Sequence, residues 1–214
     1  MTIQGTINKT GFLVVMLVIG AYLGKDINPL PVVWWILIMN LIIFLLIMFQ
    51  PHRAAYLSQP YAILEGMLLG IISTAASKEY PGIAANALIG TVACLLLMIA
   101  LFRMHVIYVT DRLRALLVSA TGAIALTYLV DLGLQMYGMQ IPFIHEASPM
   151  GILFSIGVIV VASFRLIRDF TMIEKAYNFR SPRFMEWYCA FALILSLVWL
   201  YLEVLSLMGK LKKR

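Results

Sequence analysis

Charged residues are scarce in this chain of 214 residues. Asp, Glu, Lys and Arg make up 12% of it, which is about half the share found in an ordinary soluble domain. Hydrophobic residues make up 63%. A soluble fold of this size still exposes about a quarter to a third of its chain surface, so it could not hide so much apolar area. The composition therefore excludes a soluble enzyme, a disordered chain and a secreted disulfide scaffold, and it predicts an integral membrane protein.

Cysteine and histidine are also rare. Cys94 and Cys189 both lie inside apolar runs, where a small buried hydrophobic residue is more typical than a disulfide. The three histidines are far apart, and the spacings H-x-x-x-H, C-x-x-C and G-x-S-x-G do not occur. These patterns give no sign of a zinc site, a bound cofactor or an enzyme. Nucleic acid is not expected as a partner, because the chain lacks a soluble face on which basic residues could cluster.

Long apolar runs occupy most of the chain. A membrane helix needs about 20 residues, and seven candidate segments lie at about residues 10–24, 30–49, 60–77, 82–102, 113–137, 150–167 and 186–208. The connections between them are short and leave no room for an extramembrane domain. Residues 1–214 are therefore predicted to form a single integral membrane domain. The predicted fold class is all-α, a polytopic bundle of seven transmembrane helices.

The distribution of basic residues predicts the orientation in the membrane. Connections on one side of the bilayer hold only Lys25 and Lys78. The amino terminus and the connections on the other side hold ten basic residues, namely Lys9, Arg53, Arg103, Arg112, Arg114, Arg165, Arg168, Lys175, Arg180 and Arg183. Because the cytoplasmic side carries the excess of Lys and Arg, the amino terminus is predicted to be cytoplasmic. The basic tail, from Lys210 to Arg214, favours a cytoplasmic carboxyl terminus as well, so the side of that terminus is left open.

Five acidic residues lie within the apolar segments or at their ends: Glu65, Asp131, Asp169, Glu186 and Glu203. A charge inside the bilayer is costly and usually marks an ion path or an interhelical pair. The orientation predicts that Glu65, Asp169 and Glu186 lie toward the cytoplasmic face. Asp131 and Glu203 are expected to lie unpaired toward the outer face. The functional interpretation is a cation path with acidic mouths, and the structural one is a set of anchors and ion pairs.

Two further patterns concern helix packing. Arg165 precedes Asp169 by four residues, so the two share a helix face and can pair. Small residues recur at every fourth position of the third segment, at Ala62, Gly66, Gly70 and Thr74. Such a ridge lets two helices approach closely. We therefore predict that this face of the third helix contacts another helix.

Three stretches of the sequence carry a family resemblance. The first is SQPYAILEGMLLGIIS at residues 58–73, and the second pairs residues 120–129 with residues 141–145. The third runs from Asp169 through Ile173-Glu174 and residues 185–188 to residues 197–203. Their order and spacing resemble those of the bacterial Bax inhibitor-1-like (TMBIM, YccA-related) family. The resemblance covers about residues 30–210, and it rests on the whole arrangement because no single motif is diagnostic.

The resemblance implies a fold and an activity. The fold is a seven-helix bundle around a central last helix. The activity is a pH-sensitive calcium leak, here in a bacterial plasma (inner) membrane. The partners so implied are the lipid bilayer, calcium or other cations, and other membrane proteins, with no cofactor besides calcium as the transported ion. In eukaryotes the family is associated with suppression of cell death.

The resemblance also implies a gate. In the family, two Asp residues of helices six and seven are latched to an Arg at the cytoplasmic end of helix two. Asp169 matches the first acid and is the expected calcium contact, and Arg53 is the candidate latch. Ser196 stands where the second acid is expected, and Glu186 lies ten residues earlier, about 15 Å along a helix. The predicted gate and ion pathway comprise Asp169, Arg53, Glu186, Glu65, Asp131, Glu203, Arg165 and Ser196.

Three functions are compatible with these patterns. The first is a calcium-permeable leak channel in ion homeostasis. The second is a non-conducting membrane regulator that binds other membrane proteins or proteases. The third is a small-solute or proton-coupled transporter, and an enzyme is not expected.

Overall fold

The computed structural model describes residues 1–27, 29–104, 110–138, 141 and 147–213, with the backbone alone for residues 29–31 and 136. The described chain is helical, with a 3₁₀ turn at Pro51–Arg53. Its long helices are α1 Ile3–Gly24, α2 Pro29–Phe49, α3 Ala54–Glu79, α4 Ile83–Arg103, α5 Asp111–Met136, α6 Pro149–Asn178 and α7 Phe184–Lys212. The described residues do not include His105 or His145. They also omit most of the stretch at residues 141–145.

Each of these seven helices is long and apolar enough to cross a membrane. Large apolar side chains lie on their outer surfaces, as at Trp35, Leu88 and Leu126, whose exposed fractions are 70%, 57% and 63%. A water-soluble protein would bury such residues, whereas a bilayer solvates them, and the helix satisfies its own backbone groups in lipid. The prediction of an all-α polytopic bundle of seven transmembrane helices is confirmed.

Several helices extend beyond the apolar segments that predicted them. Helix α1 begins at Ile3 because the Thr2 hydroxyl caps it, accepting a hydrogen bond from the Gly5 N–H at 3.0 Å. Helix α3 begins at Ala54, so Pro60 lies inside the helix rather than at its start. Helix α6 continues to Asn178. The positions at which the bilayer crosses these helices stay predictions.

Contacts divide the chain into two compact units. The first unit contains Met1–Pro81 and Asp169–Val198, which are α1 to α3, the end of α6 and the first half of α7. The second unit contains Gly82–Arg168 and Trp199–Arg214, which are α4, α5, most of α6 and the end of α7. That residues 1–214 form a single domain stays a prediction.

The core of the first unit is apolar and aromatic. Ile43 and Ile47 of α2 pack there with Tyr61 of α3 and Phe191 of α7. The rings of Tyr61 and Phe191 meet edge to face with their centroids 4.9 Å apart, a favourable geometry for aromatic pairs. This packing fastens the first half of α7 to α2 and α3.

Glycines bring α1 and α3 into backbone contact within the first unit. A methyl group on Gly66 would overlap the carbonyl oxygen of Leu17, and one on Gly70 would overlap that of Ala21. Gly20 of α1 is equally tight against the backbone of α3. Only residues without a side chain permit this approach. The predicted close helix contact is confirmed at Gly66 and Gly70.

Helix α7 is the most buried of the seven described helices. Of its most apolar stretch, 56% is buried, compared with 39% for α6 and between 17% and 33% for the others. Its residues belong partly to the first unit and partly to the second. That the last helix is central in the bundle stays a prediction.

Candidate functional site

Asp169 and Ser196 meet in the first unit. Asp169 lies on α6 and Ser196 on α7, and both residues are fully buried, with 0% of each exposed. The Ser196 hydroxyl donates a hydrogen bond to Oδ2 of Asp169. The residue that stands in place of the expected second acid therefore contacts the first one. A hydroxyl at this position ties α6 to α7 without the repulsion that a second carboxylate would bring.

Arg53 is not part of this contact. It ends the 3₁₀ turn Pro51–Arg53 and is exposed. Its guanidinium forms no ion pair or hydrogen bond with any residue whose position is described. The expected latch between Arg53 and Asp169 is therefore not closed in this conformation, because Asp169 is enclosed beside Ser196 while Arg53 points outward. Whether Arg53 acts as a latch in another state stays a prediction.

Arg165 has an aromatic neighbour in the second unit. The centre of its guanidinium lies 5.5 Å from the ring centroid of Trp199, within the range of a cation–π contact. Its expected pairing with Asp169, one turn later on α6, stays a prediction. The contact with Trp199 gives Arg165 a packing role that spacing alone does not reveal.

Glu186 connects α7 to the start of α1 in the first unit. Its carboxylate accepts hydrogen bonds from the Thr2 N–H at 2.8 Å and from the Thr2 hydroxyl at 3.2 Å, and it forms an ion pair with Lys9. The Lys9 ammonium also lies 5.2 Å from the ring centroid of Trp187. These contacts are those of an anchor between helices. They favour the structural interpretation of Glu186 over a role as the second gate acid.

Glu65 lies near the middle of α3, since the helix begins at Ala54 and ends at Glu79. That Glu65 lies toward the cytoplasmic face stays a prediction. Asn40, near the middle of α2, donates a hydrogen bond from Nδ2 to Oε2 of Glu65 at 2.7 Å. Asn40 is 5% exposed and Glu65 is half-buried, so the pair links α2 and α3 within the first unit.

Asp131 is buried in the second unit, with 3% of the residue exposed. One carboxylate oxygen accepts a hydrogen bond from the backbone N–H of Ile141 at 3.0 Å. The other accepts one from Nε2 of Gln135 at 2.6 Å. The expectation of an unpaired acid is therefore wrong here, because Gln135 and the backbone N–H of Ile141 both donate to this carboxyl group.

Glu203 is likewise buried and hydrogen-bonded in the second unit. It is 5% exposed, and its Oε1 accepts hydrogen bonds from the Tyr128 hydroxyl at 2.8 Å and from Nε1 of Trp199 at 3.0 Å. The expectation of an unpaired acid is wrong for this residue too. Tyr128 and Trp199 therefore supply hydrogen-bond donors to a carboxyl group that is enclosed by the protein. Whether Asp131 and Glu203 also attract cations stays a prediction.

Lys210 is the polar residue that sequence reasoning missed. Its position in the basic tail predicts an exposed side chain, yet the residue is 5% exposed. Its Nζ donates hydrogen bonds to Oγ of Ser155 at 2.7 Å and to the carbonyl oxygen of Gly151 at 3.1 Å. The spacing between Glu203 and Lys210 could have indicated that Lys210 faces the protein. Lys210 follows Glu203 by seven residues, about two turns, so both lie on one face of α7.

No metal centre is formed by the part of the chain that the structure describes. Within that part, no three His, Cys, Asp or Glu side chains come together in a way that could hold a metal ion. Calcium usually takes six to eight oxygen ligands. A calcium contact at Asp169 therefore stays a prediction.

Residues 1–213 match the sequence profile of a family described as Bax inhibitor 1 like. No curated protein and no solved structure matches the chain. The family predicted from three separate stretches of sequence is thereby confirmed over nearly the whole chain.

Proposed function

Because the chain belongs to the Bax inhibitor 1 like family, we propose that it is a calcium-permeable leak channel of ion homeostasis in a bacterial plasma membrane. The observation that carries the proposal is the fully buried contact between Asp169 and Ser196. A carboxyl group kept inside a membrane protein is costly and usually functional. This one lies on the helix that the resemblance assigns to the gate.

In the proposed mechanism Asp169 holds the closed state. The hydrogen bond from Ser196 joins α6 to α7, and loss of that bond lets the two helices separate. Acidification supplies a proton that competes for the Asp169 oxygen. Since Ser196 replaces a second acid, the pH response of the leak is expected to be shallow and to involve about one proton.

A non-conducting regulator is the second candidate. Arg53 favours it, because this exposed residue forms no ion pair or hydrogen bond with the described residues. An exposed arginine at the end of a membrane helix is available to an acidic group of another membrane protein or a protease. In this reading the contact between Asp169 and Ser196 serves packing alone.

Purified protein in liposomes that contain a calcium-sensitive dye separates these candidates. A leak channel admits calcium at a rate proportional to the amount of protein and without saturation. A transporter of small solutes instead shows saturable flux of its substrate. The leak proposal is contradicted if calcium enters at the rate of protein-free liposomes throughout pH 5 to pH 8, and the regulator then becomes the better candidate.

The proposed orientation has its own test. The count of basic residues supports a cytoplasmic amino terminus. Asn178 is exposed at the end of α6, so a reporter fused there should be cytoplasmic, and one fused at Gln140 should lie outside. Labelling of both fusions from the same side contradicts the orientation without affecting the proposal of a leak.

A further inference from the structure

Glu65 and Asn40 form a polar pair in an apolar part of the first unit. Nδ2 of Asn40 donates to Oε2 of Glu65 at 2.7 Å. Close to them along the same two helices, Ile36, Leu68 and Ile71 form a buried cluster. Helix α2 contains no charged residue. The pair is therefore a polar contact between helices whose other contacts here are apolar.

The amide group of Asn40 has only one of its two sides satisfied. Its Oδ1 is buried and accepts no hydrogen bond from the described residues. An ionised carboxylate can only accept hydrogen bonds, so it cannot serve this oxygen. A protonated carboxyl group both donates and accepts. When such a group faces an amide, it accepts a hydrogen bond from the amide nitrogen and donates one to the amide oxygen. This conclusion is the same if the positions assigned to Nδ2 and Oδ1 are exchanged.

Among the described residues, no cationic group lies close enough to compensate a charge on Glu65. It forms no ion pair with any residue of the described chain. On its own helix the Tyr61 side chain hydrogen-bonds to the same carboxyl group. The charged residue of α1 is Lys9, which pairs with Glu186 of α7. From α7, Tyr188 packs against the apolar cluster that contains Tyr61. Glu65 is half-buried on a helix that is predicted to cross the bilayer, where a charge without a partner is costly and is usually neutralised.

We propose that Glu65 is a proton-binding site in the membrane interior, with its carboxyl proton donated to Oδ1 of Asn40. Ionisation removes that hydrogen bond and weakens the contact between α2 and α3. A divalent cation fits poorly, because it needs six to eight oxygens, whereas the polar side chains found here are those of Glu65, Asn40 and Tyr61. The proposal concerns proton binding alone and does not depend on calcium conduction.

Infrared spectroscopy of the full chain in lipid tests this site, because the carbonyl stretch of a protonated carboxyl differs from the stretches of a carboxylate. Glutamate labelled with carbon-13 separates Glu bands from Asp bands. The variants are Glu65→Gln, Asn40→Leu and the matched control Glu79→Gln, which makes the same change at an exposed position near the end of α3.

At pH 7 the labelled wild type and Glu79→Gln should show the carbonyl band of protonated glutamic acid, called the acid band below. Glu65→Gln should lose the intensity that Glu65 contributes to this band. Asn40→Leu should keep that part but move it to higher frequency, since its hydrogen bonds to the amide are gone. An acid band that is identical in Glu65→Gln and wild type overturns the proposal. Carboxylate bands that respond to added calcium only when Glu65 is present also overturn it, in favour of a cation site. If Glu65→Gln does not fold, an unshifted band in Asn40→Leu overturns the proposal as well.

Discussion

Polar side chains join helices in both units, and the first unit adds a contact between two helix backbones. In the first unit, α1 and α3 touch through their backbones at glycines such as Gly66. In the second unit, buried polar side chains join the helices, since Tyr128 of α5 bonds to Glu203 of α7 and Ser155 of α6 accepts from Lys210. Polar residues in the second unit therefore have packing roles that explain their presence in a membrane protein.

The acidic residues of the two units also differ in how fully their hydrogen bonds are satisfied. In the second unit both oxygens of Asp131 have donors within the protein, and Glu203 has two donors. In the first unit, Asp169 is fully buried with a hydroxyl partner, and Glu65 lies beside an amide that is half satisfied. The difference indicates that gating and proton binding should be sought in the first unit.

The largest effect on stability is expected where backbones touch. Gly66→Leu would force a side chain into the carbonyl group of Leu17, and overpacking of this kind costs about 3 kcal/mol. The matched control is Gly11→Leu on α1, where no atom lies close enough to clash. The free energy of unfolding in detergent micelles measures the difference. Equal values for the two variants would mean that the glycine contact does not hold the first unit together.

A smaller loss is expected from the polar contacts of the second unit. Glu203→Leu removes the acceptor for both Tyr128 and Trp199, and leaving buried donors unsatisfied costs about 2 kcal/mol. Glu203→Gln keeps an oxygen in the same position and should lose less than half as much. The same unfolding measurement compares the two. If leucine is tolerated as well as glutamine, these hydrogen bonds do not stabilise the second unit.

The smallest loss is expected from the anchor at the start of α1. The side chains of Lys9 and Glu186 are 22% and 8% exposed, and Glu186 keeps its two hydrogen bonds from Thr2 when Lys9 is replaced. Lys9→Met should lower the free energy of unfolding by about 1 kcal/mol or less, and less in high salt. Lys213→Met, at an exposed position, is the control. If Lys9→Met lost more free energy of unfolding than Glu203→Leu, the expected order of the two variants would be wrong. The contacts of Lys9 would then be a main source of stability in the first unit.

Much of the fold follows from composition, because the bilayer demands helices of about 20 apolar residues whose backbone groups bond internally. The start of α3 does not follow. A proline such as Pro60 usually marks the beginning of a helix, but a transmembrane helix tolerates one in its interior. The apolar pattern begins at Pro60, six residues after the helix begins at Ala54, so local pattern does not reveal the first turns of α3.

The candidate site was predictable only in part. The resemblance pointed to Asp169 and to Ser196 as the altered position, but the contact between them depends on how α6 packs against α7. Lys210 shows the same limit. A lysine in a basic tail is typical of topogenic charge, and the partner of its ammonium group, Ser155, is 55 residues away in sequence. Such contacts leave no signal in local composition.

Calcium flux in dye-loaded liposomes, compared between wild type and Asp169→Asn, tests whether Asp169 holds the channel closed. The control is Asp111→Asn, which makes the same change at an exposed position at the start of α5. If the buried contact with Ser196 holds the channel closed, Asp169→Asn raises the basal leak several-fold at neutral pH and loses its response to acid. Asp111→Asn should behave as wild type. A wild-type basal leak and pH profile in Asp169→Asn would contradict the account.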